Sequence, residues 1–527
     1  MHRVLISDPL SEDGIKPLLE AEDIETIMDS SLSHEQLLEA VSSVEALIVR
    51  SQTQVTREVI EHAPYLKIIG RAGVGVDNID LDAATENGVI VVNAPDGNTI
   101  STAEHTMAML MSLARNIPQA YHQLQQKRWE RKKFVGVELK DKVIGIVGFG
   151  RIGREVAQRA KGHRMKVIAF DPFLNEEKAE KAGVLHGSLE EVLQQADFLT
   201  VHTPLIEKTK HLINEEAISM MKTGARILNC ARGGIVEENA LYEAIQSGKI
   251  AGAALDVFEE EPATDHPLLT LPEVIATPHL GASTIEAQEN VATDVSYDIL
   301  EVLHGGTVRN PVNLPSVSSE MMEKLSPYFN LSERLGAFLS KVVEGTLERV
   351  NVYYSGELLD VDTMPLTRIA VKGILARHLG SRVNDVNAFK TAADKGITIA
   401  EQKSTRTKGF TNLVTVEIET DQEKRSIAGT LLNGLGARIV QFDHYSIDVV
   451  PEGNLVVIHH TDQPGAIGRV GSLLAEHKVN IATMQVGRTN EGGEAVMILT
   501  VDKPVKGNCN DELAQIEDIK QVHCLTL

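Results

Sequence analysis

Cysteine is nearly absent. Three residues in 527 (Cys230, Cys509 and Cys524) leave no basis for a disulfide framework or a cysteine-rich metal site. No run of eighteen apolar residues occurs, so no transmembrane helix is expected. The amino end, Met1-His2-Arg3-Val4-Leu5-Ile6-Ser7-Asp8, lacks the long apolar core of a signal peptide and reads as a first strand. Positive charge is also short, with 51 Lys and Arg against 74 Asp and Glu and a formal net charge of −23. That balance argues against nucleic acid or an anionic membrane as a general partner. These absences point to the cytoplasm. The acidity also makes isolated arginines in glycine-rich loops informative, because an anionic substrate needs a locally basic pocket in a repelling protein. The remaining composition, 43% hydrophobic and 24% charged, is that of a soluble globular chain, and its length suits about three or four domains.

The richest local signal is Gly148-Phe149-Gly150-Arg151-Ile152-Gly153. The apolar run Val143–Val147 leads into it, a helical pattern from Arg154 leads out, and a second apolar run, Lys166–Phe170, ends on Asp171. A G-x-G-x-x-G turn between strand and helix, with an acid after the next strand, is what a dinucleotide-binding βαβ unit requires. The first glycine makes the turn, the second admits the pyrophosphate, and the third lets the helix pack, with its N-terminus facing the phosphates. Asp171 can accept hydrogen bonds from ribose hydroxyls and repels a 2′-phosphate. Pro172, Phe173 and Leu174 supply no cation, so NAD is favoured over NADP. The competing role for Asp171 is capping the turn before Pro172.

Short β-like runs alternate with helical patterns on both sides of this turn: Val4–Ser7, Ala46–Arg50, Leu66–Gly70 and Val89–Asn93 before it, then Phe198–Thr203, Ala225–Cys230, Ala251–Val257 and Val274–Pro278 after it. Alternation of this kind gives parallel α/β sheets, and there are too many units for one. Two doubly wound domains are expected. A flavodoxin-like substrate domain spans 1–97 plus 290–312, and a Rossmann-like cofactor domain spans 98–289, with the active site in the cleft between them. The helical pattern Ser283–Leu303 crosses back to the first domain. Ser101-Thr102-Ala103-Glu104 reads as a capping box opening a Met- and Leu-rich helix. After Asn310-Pro311-Val312-Asn313-Leu314-Pro315 comes an α+β intervening domain at 318–450. Residues 453–527 then read βαββαβ, the ferredoxin-like plan. At about seventy residues that last module is small enough to need a partner through a sheet edge or helix face.

Three residues that can do chemistry follow predicted strands. Arg232, before Gly233-Gly234, can hold a carboxylate through its planar fork. His279, in Thr277-Pro278-His279-Leu280-Gly281-Ala282, has the intrinsic basicity for proton exchange with an alcohol. One of Glu259, Glu260 and Glu261 can pair with that imidazole, and spacing does not choose among them. Each also has a bland reading, as a surface arginine, a structural loop histidine and a solvated acidic loop.

Taken together, Asn229-Cys230-Ala231-Arg232-Gly233-Gly234, Asp256-Val257-Phe258-x-x-Glu261-Pro262 and Thr277–Thr284 resemble the signatures of the D-isomer-specific 2-hydroxyacid dehydrogenases. The resemblance covers residues 1 to about 312. It implies that Arg232 binds substrate, His279 is the acid/base and Glu261 is its partner. It further implies NAD contacts at Gly148, Gly150, Arg151, Ile152, Gly153, Asp171, Thr203, Cys230, Ala231, Asp256, Gly281 and Ala282. Arg71-Ala72-Gly73-Val74-Gly75-Val76-Asp77, Asn93-Ala94-Pro95 and Trp129-Glu130-Arg131 are similar to the branch of that family acting on 3-phosphoglycerate. That similarity implies substrate contacts at Arg50, Arg71, Gly73, Val74, Gly75 and Arg131, the last from a neighbouring subunit. Val74 stands where some relatives carry a hydroxyl, which leaves only backbone there. His459-x-x-Asp462-x-Pro464-Gly465 with Asn480-Ile481 resembles an ACT domain and implies L-serine binding at Asp462 and Asn480, with Asp462 also placed to cap the following helix. The whole pattern implies oxidation of 3-phosphoglycerate to 3-phosphohydroxypyruvate by a homo-oligomer, a tetramer, with no metal, nucleic acid or membrane. The alternatives are a dehydrogenase of another D-2-hydroxy acid, or an NAD-sensing binding protein.

Overall fold

The computed structural model describes every residue except 307, 316–318, 406, 506 and 507. The expected boundary at residue 318 lies outside those residues. The first five strands, His2–Ile6, Ile24–Met28, Ala46–Val49, Ile68–Arg71 and Ile90–Asn93, form a parallel sheet in the order 2-1-3-4-5. This is the flavodoxin-like winding. Ala46–Val49 is buried at every position, as a strand covered by helices on both faces must be. Ile24–Met28 carries no signal that the sequence reading used. It is an edge strand in which only Ile24 is buried, so the apolar alternation that marks a strand is nearly lost.

A seven-stranded parallel sheet follows. Numbered from Val143–Val147, its strands run 3-2-1-4-5-6-7, the Rossmann winding. The order reverses between Val143–Val147 and Phe198–Val201, and such a switch point opens a crevice at the carboxyl ends of the strands. The chain enters this unit through the helix Thr99–Arg115 and leaves it through the helix Ile285–Leu303. The second helix lies on the first sheet. Val291, Val295 and Ile299 share a core with Val4, Ile48 and Ile68, and Ser296 Oγ donates to the Gly14 carbonyl at 3.1 Å.

The capping box expected at Ser101 is not formed. The first of these helices starts three residues earlier, with Asn98 at its N-cap and no side-chain cap. Thr99 and Ile100 continue the helical backbone, which puts Ser101 inside the first turn. There its hydroxyl meets Thr284 Oγ1 at 2.7 Å instead.

Beyond residue 318, a six-stranded mixed sheet is covered by the helices Ser319–Val342 and Met364–Leu379. The final module, in strand order 2-3-1-4, is ferredoxin-like. One face of its sheet lies under its own two helices, through Val456, Ile458 and Met497. The other face, through Leu455, Val457, Val496 and Ile498, joins the core of the preceding domain. The module thus covers this apolar sheet face against the preceding domain of the same chain.

Candidate active site

The glycine turn sits at the switch point. Gly148 holds φ +97°, and a Cβ on Gly153 would fall 2.2 Å from the Gly148 carbonyl, so turn and helix can close only without side chains there. Nothing lies within 4 Å of where a Gly150 Cβ would be, which leaves that backbone open to a ligand. Asp171 fills the capping role weighed for it and stands directly after the strand Lys166–Phe170, where a ribose ligand is expected. It accepts from Phe149 N and Phe173 N, each at 2.8 Å. Across the crevice the Thr203 hydroxyl is buried without a partner among the described residues, an orphan that a bound dinucleotide could satisfy. Arg151 Nε lies 2.5 Å from Asp96 on the crossing between the sheets. Burial pushes the Cys230 thiol up to about 12, so it is an inert wall.

Arg232, Glu261 and His279 follow three adjacent strands, Ala225–Asn229, Ile250–Leu255 and Val274–Ala276, which brings them to one rim. Asn229 shapes the Arg232 turn, its amide donating to the Arg232 carbonyl at 2.8 Å and its oxygen accepting from Ala231 N at 3.0 Å. Geometry settles which glutamate pairs with the imidazole. Glu261 Oε2 lies 2.9 Å from His279 Nδ1, whereas Glu259 is taken by His211 at 2.6 Å. With Nδ1 occupied, Nε2 is the nitrogen left for a ligand. His279 sits at φ +55°, a left-handed conformation held because its own N–H bonds to the Asp256 carbonyl at 2.9 Å. Asp256, expected on the cofactor, is turned inward. It is 1% exposed, and its carboxylate accepts from Leu280 N, Gly281 N and Thr277 Oγ1. Burial opposes its ionisation, yet the bonds from His105, Thr277 and Leu280 prevail and hold its carboxyl below the usual range.

The first sheet faces this rim with arginines. A Cβ on Gly73 would lie 1.5 Å from Arg71 Nη1, and one on Gly75 would lie 2.0 Å from Arg232 Nη2, so the two glycines make room for the two guanidinium groups. Arg232 reaches across to Asp77 at 3.3 Å. Burial, then the nearby Arg232 and Arg50, lower Arg71 to about 10. It remains a cation at neutral pH, and its Nε is buried with no partner among the described residues. Asn93 pins the loop by donating to the Val74 carbonyl at 2.5 Å. Asp8 was passed over in the sequence, although its place after the first strand signals it; it orders the Arg50 loop through Arg50 N at 2.6 Å and Thr53 Oγ1 at 2.7 Å. Arg131 lies on the turn Arg131–Lys133, which buries no residue.

Three family models match the chain in order: the NAD binding domain of D-isomer specific 2-hydroxyacid dehydrogenases at 107–281, the D-3-phosphoglycerate dehydrogenase intervening domain at 324–443, and the ACT domain at 454–518. The D-3-phosphoglycerate dehydrogenase of Bacillus subtilis is 46% identical over 527 residues, covering 100% of both chains. The chain belongs to the D-3-phosphoglycerate dehydrogenase family. The protein of that name from Methanocaldococcus jannaschii is 47% identical over 528 residues, again covering 100% of both. Among solved structures, D-lactate dehydrogenase from Aquifex aeolicus complexed with NAD and lactic acid is 29% identical with a TM-score of 0.53, covering 60% of this chain and 100% of that one. As a member of the D-3-phosphoglycerate dehydrogenase family, the protein is an NAD-dependent dehydrogenase, and its glycine turn, Asp171 and the orphaned Thr203 hydroxyl fit that cofactor.

In the ACT module of the dehydrogenase, Asp462 does not cap the helix. The helix Ala466–Glu476 begins at Gly465 without a side-chain cap, and Asp462 pairs with Arg488 at 2.8 Å. Asn480 donates to Asp502 at 2.8 Å. The strand register sets Thr461 against Glu494 and Ile481 against Val501, so Asp462 and Asn480 stand at opposite ends of the sheet. Eight residues of strand separate these ends by roughly 25 Å.

Proposed function

We propose that this dehydrogenase oxidises 3-phospho-D-glycerate to 3-phosphohydroxypyruvate, the entry step to L-serine. The observation that carries the reading is Arg71, a half-buried guanidinium whose buried Nε has no partner and which makes no ion pair among the described residues, next to Arg232 and Arg50 in a chain of net charge −23. An unpaired buried cation is costly, and an anionic ligand removes that cost. A carboxylate plus a phosphate of about −1.5 to −2 carries nearly the charge of three guanidiniums, which lactate does not.

Arg232 grips the carboxylate by two parallel bonds, and Arg71 with Arg50 takes the phosphate. The C2 hydroxyl then faces His279 Nε2, which accepts its proton while Glu261 steadies the resulting imidazolium through Nδ1. NAD supplies the acceptor for the C2 hydride. Closure of the two sheets on each other excludes water from the rim.

A kinetic panel tests the substrate. kcat/KM for 3-phospho-D-glycerate should exceed that for D-glycerate and D-lactate by about 10²–10³-fold, the worth of a desolvated charge pair, and Arg71→Ala should remove most of that preference. Equal rates on plain hydroxy acids would reassign the substrate.

Control by L-serine is part of the same proposal, supported by the ACT match. A single serine cannot span Asp462 and Asn480 of one module, so a site using both is built between two copies. The helix Ile117–Gln125 suits a second copy, since it buries no residue of its own while Tyr121 and Leu124 stand exposed. L-Serine should lower the initial rate, and Asn480→Ala should raise the half-inhibiting concentration by about 3–10-fold, the worth of one hydrogen bond. Rates that ignore serine over a wide range would remove this part of the proposal.

A further inference from the structure

One face of the helix Thr99–Arg115 grips the loop that carries His279, and no step above uses it. Ser101 Oγ lies 2.7 Å from Thr284 Oγ1, Thr102 Oγ1 donates to the Gly281 carbonyl at 3.2 Å, and His105 Nε2 lies 3.1 Å from Thr277 Oγ1. Positions 101 and 105 are one helical turn apart, so these contacts share a side. The same His105 nitrogen is 3.2 Å from Asp256 Oδ1, with the carboxylate 1% exposed. Asp256 in turn holds Leu280 N at 2.7 Å and Gly281 N at 2.8 Å through its side chain, and His279 N at 2.9 Å through its backbone. Among the described residues, the backbone N–H groups of His279, Leu280 and Gly281 therefore all bond to Asp256, with the Thr277 carbonyl also accepting from His279 N at 3.0 Å. Among the described residues, His105 is the side chain outside that pair that reaches both of its members.

We propose that His105 is a positioning residue for the dehydrogenation. Its Nε2–H, shared between Asp256 Oδ1 and Thr277 Oγ1, fixes the carboxylate in the orientation that grips the 280 and 281 amides. That grip sets where the His279 imidazole stands over the substrate. The helix bearing His105 is also the first element after the crossing between the sheets, and its Ser101 touches Thr284 at the start of the return helix. Both crossings and the acid/base loop thus meet on one helix face, which ties interdomain closure to the placement of His279.

This inference rests on His279 being the acid/base. The test uses the full-length enzyme with NAD and 3-phospho-D-glycerate. His105→Met keeps the volume and loses the donor, and His105→Gln returns an N–H near the position of Nε2. The Met variant should lose about 10–10²-fold in kcat, as a misplaced catalytic group does, with KM and the NADH Kd within about 2-fold. The Gln variant should recover to within about 3-fold of the parent. A purely structural role would lower thermal stability or NADH affinity in both variants without that split. A Met variant with full kcat, or a Gln variant no better than Met while both bind NADH normally, overturns the inference and leaves the assigned reaction standing. A parent enzyme inactive on 3-phospho-D-glycerate overturns the assigned reaction, and this inference with it.

Discussion

Replacing His279 by asparagine is expected to lower kcat for 3-phospho-D-glycerate by about 10²–10⁴-fold, the range lost with a general base. Asparagine is the informative choice because position 279 sits at φ +55°, a region that asparagine tolerates better than alanine. The backbone bond from residue 279 to the Asp256 carbonyl then survives, and only the proton acceptor is lost. NADH affinity, which the proposed site assigns mainly to the glycine turn and Asp171, should stay within about 2-fold, and KM should move little, because the base is not the group proposed to hold the substrate's charges. Rapid-mixing measurement of the first turnover separates this loss from slow product release. A variant that reduces NAD at the parental rate in that first turnover removes His279 from the chemistry.

Replacing Arg232 by alanine is expected to lower kcat/KM by about 10²–10³-fold, with the loss divided between kcat and KM. Two effects act in the same direction. The substrate carboxylate loses a bidentate partner, and Asp77, 3.3 Å from the guanidinium, is left as an uncompensated negative charge near an anion. Lysine at 232 restores the charge without the fork and should recover only part of the loss, because a point charge fixes position less well than two parallel bonds. The contrast between the two sites is diagnostic. The 279 variant loses kcat alone, and the 232 variant loses binding as well. Identical patterns from both would mean that one of them acts through a general disturbance of the rim.

Much of this arrangement was legible in the chain. The glycine turn, the acid after the next strand and the three rim residues sit beside buried strands, where local apolar runs and fixed spacing report the backbone path directly. What escaped reading depends on tertiary contact. Ser101 to Glu104 has the spacing of a capping box wherever it falls in a helix, and only the loop at Thr284 decides that the hydroxyl is used elsewhere. Asp462 looks like a cap because it precedes a Pro-Gly turn, but Arg488, on another strand, claims it. The choice of Glu261 over its neighbours follows from where His211 stands. What the sequence does not show for Arg71 is that its Nε is buried with no partner among the described residues, which is not a property of neighbouring letters. The edge strand Ile24–Met28 carries too little apolar alternation to be seen without its partner, His2–Ile6.

The most direct measurement is a crystal structure of the enzyme with NADH and 3-phosphohydroxypyruvate bound together. The predicted result has the carboxylate forked on Arg232, the phosphate against Arg71 and Arg50, and the C2 oxygen within hydrogen-bond reach of His279 Nε2. A ligand held with its phosphate away from Arg71, or an imidazole turned from the C2 oxygen, would contradict it.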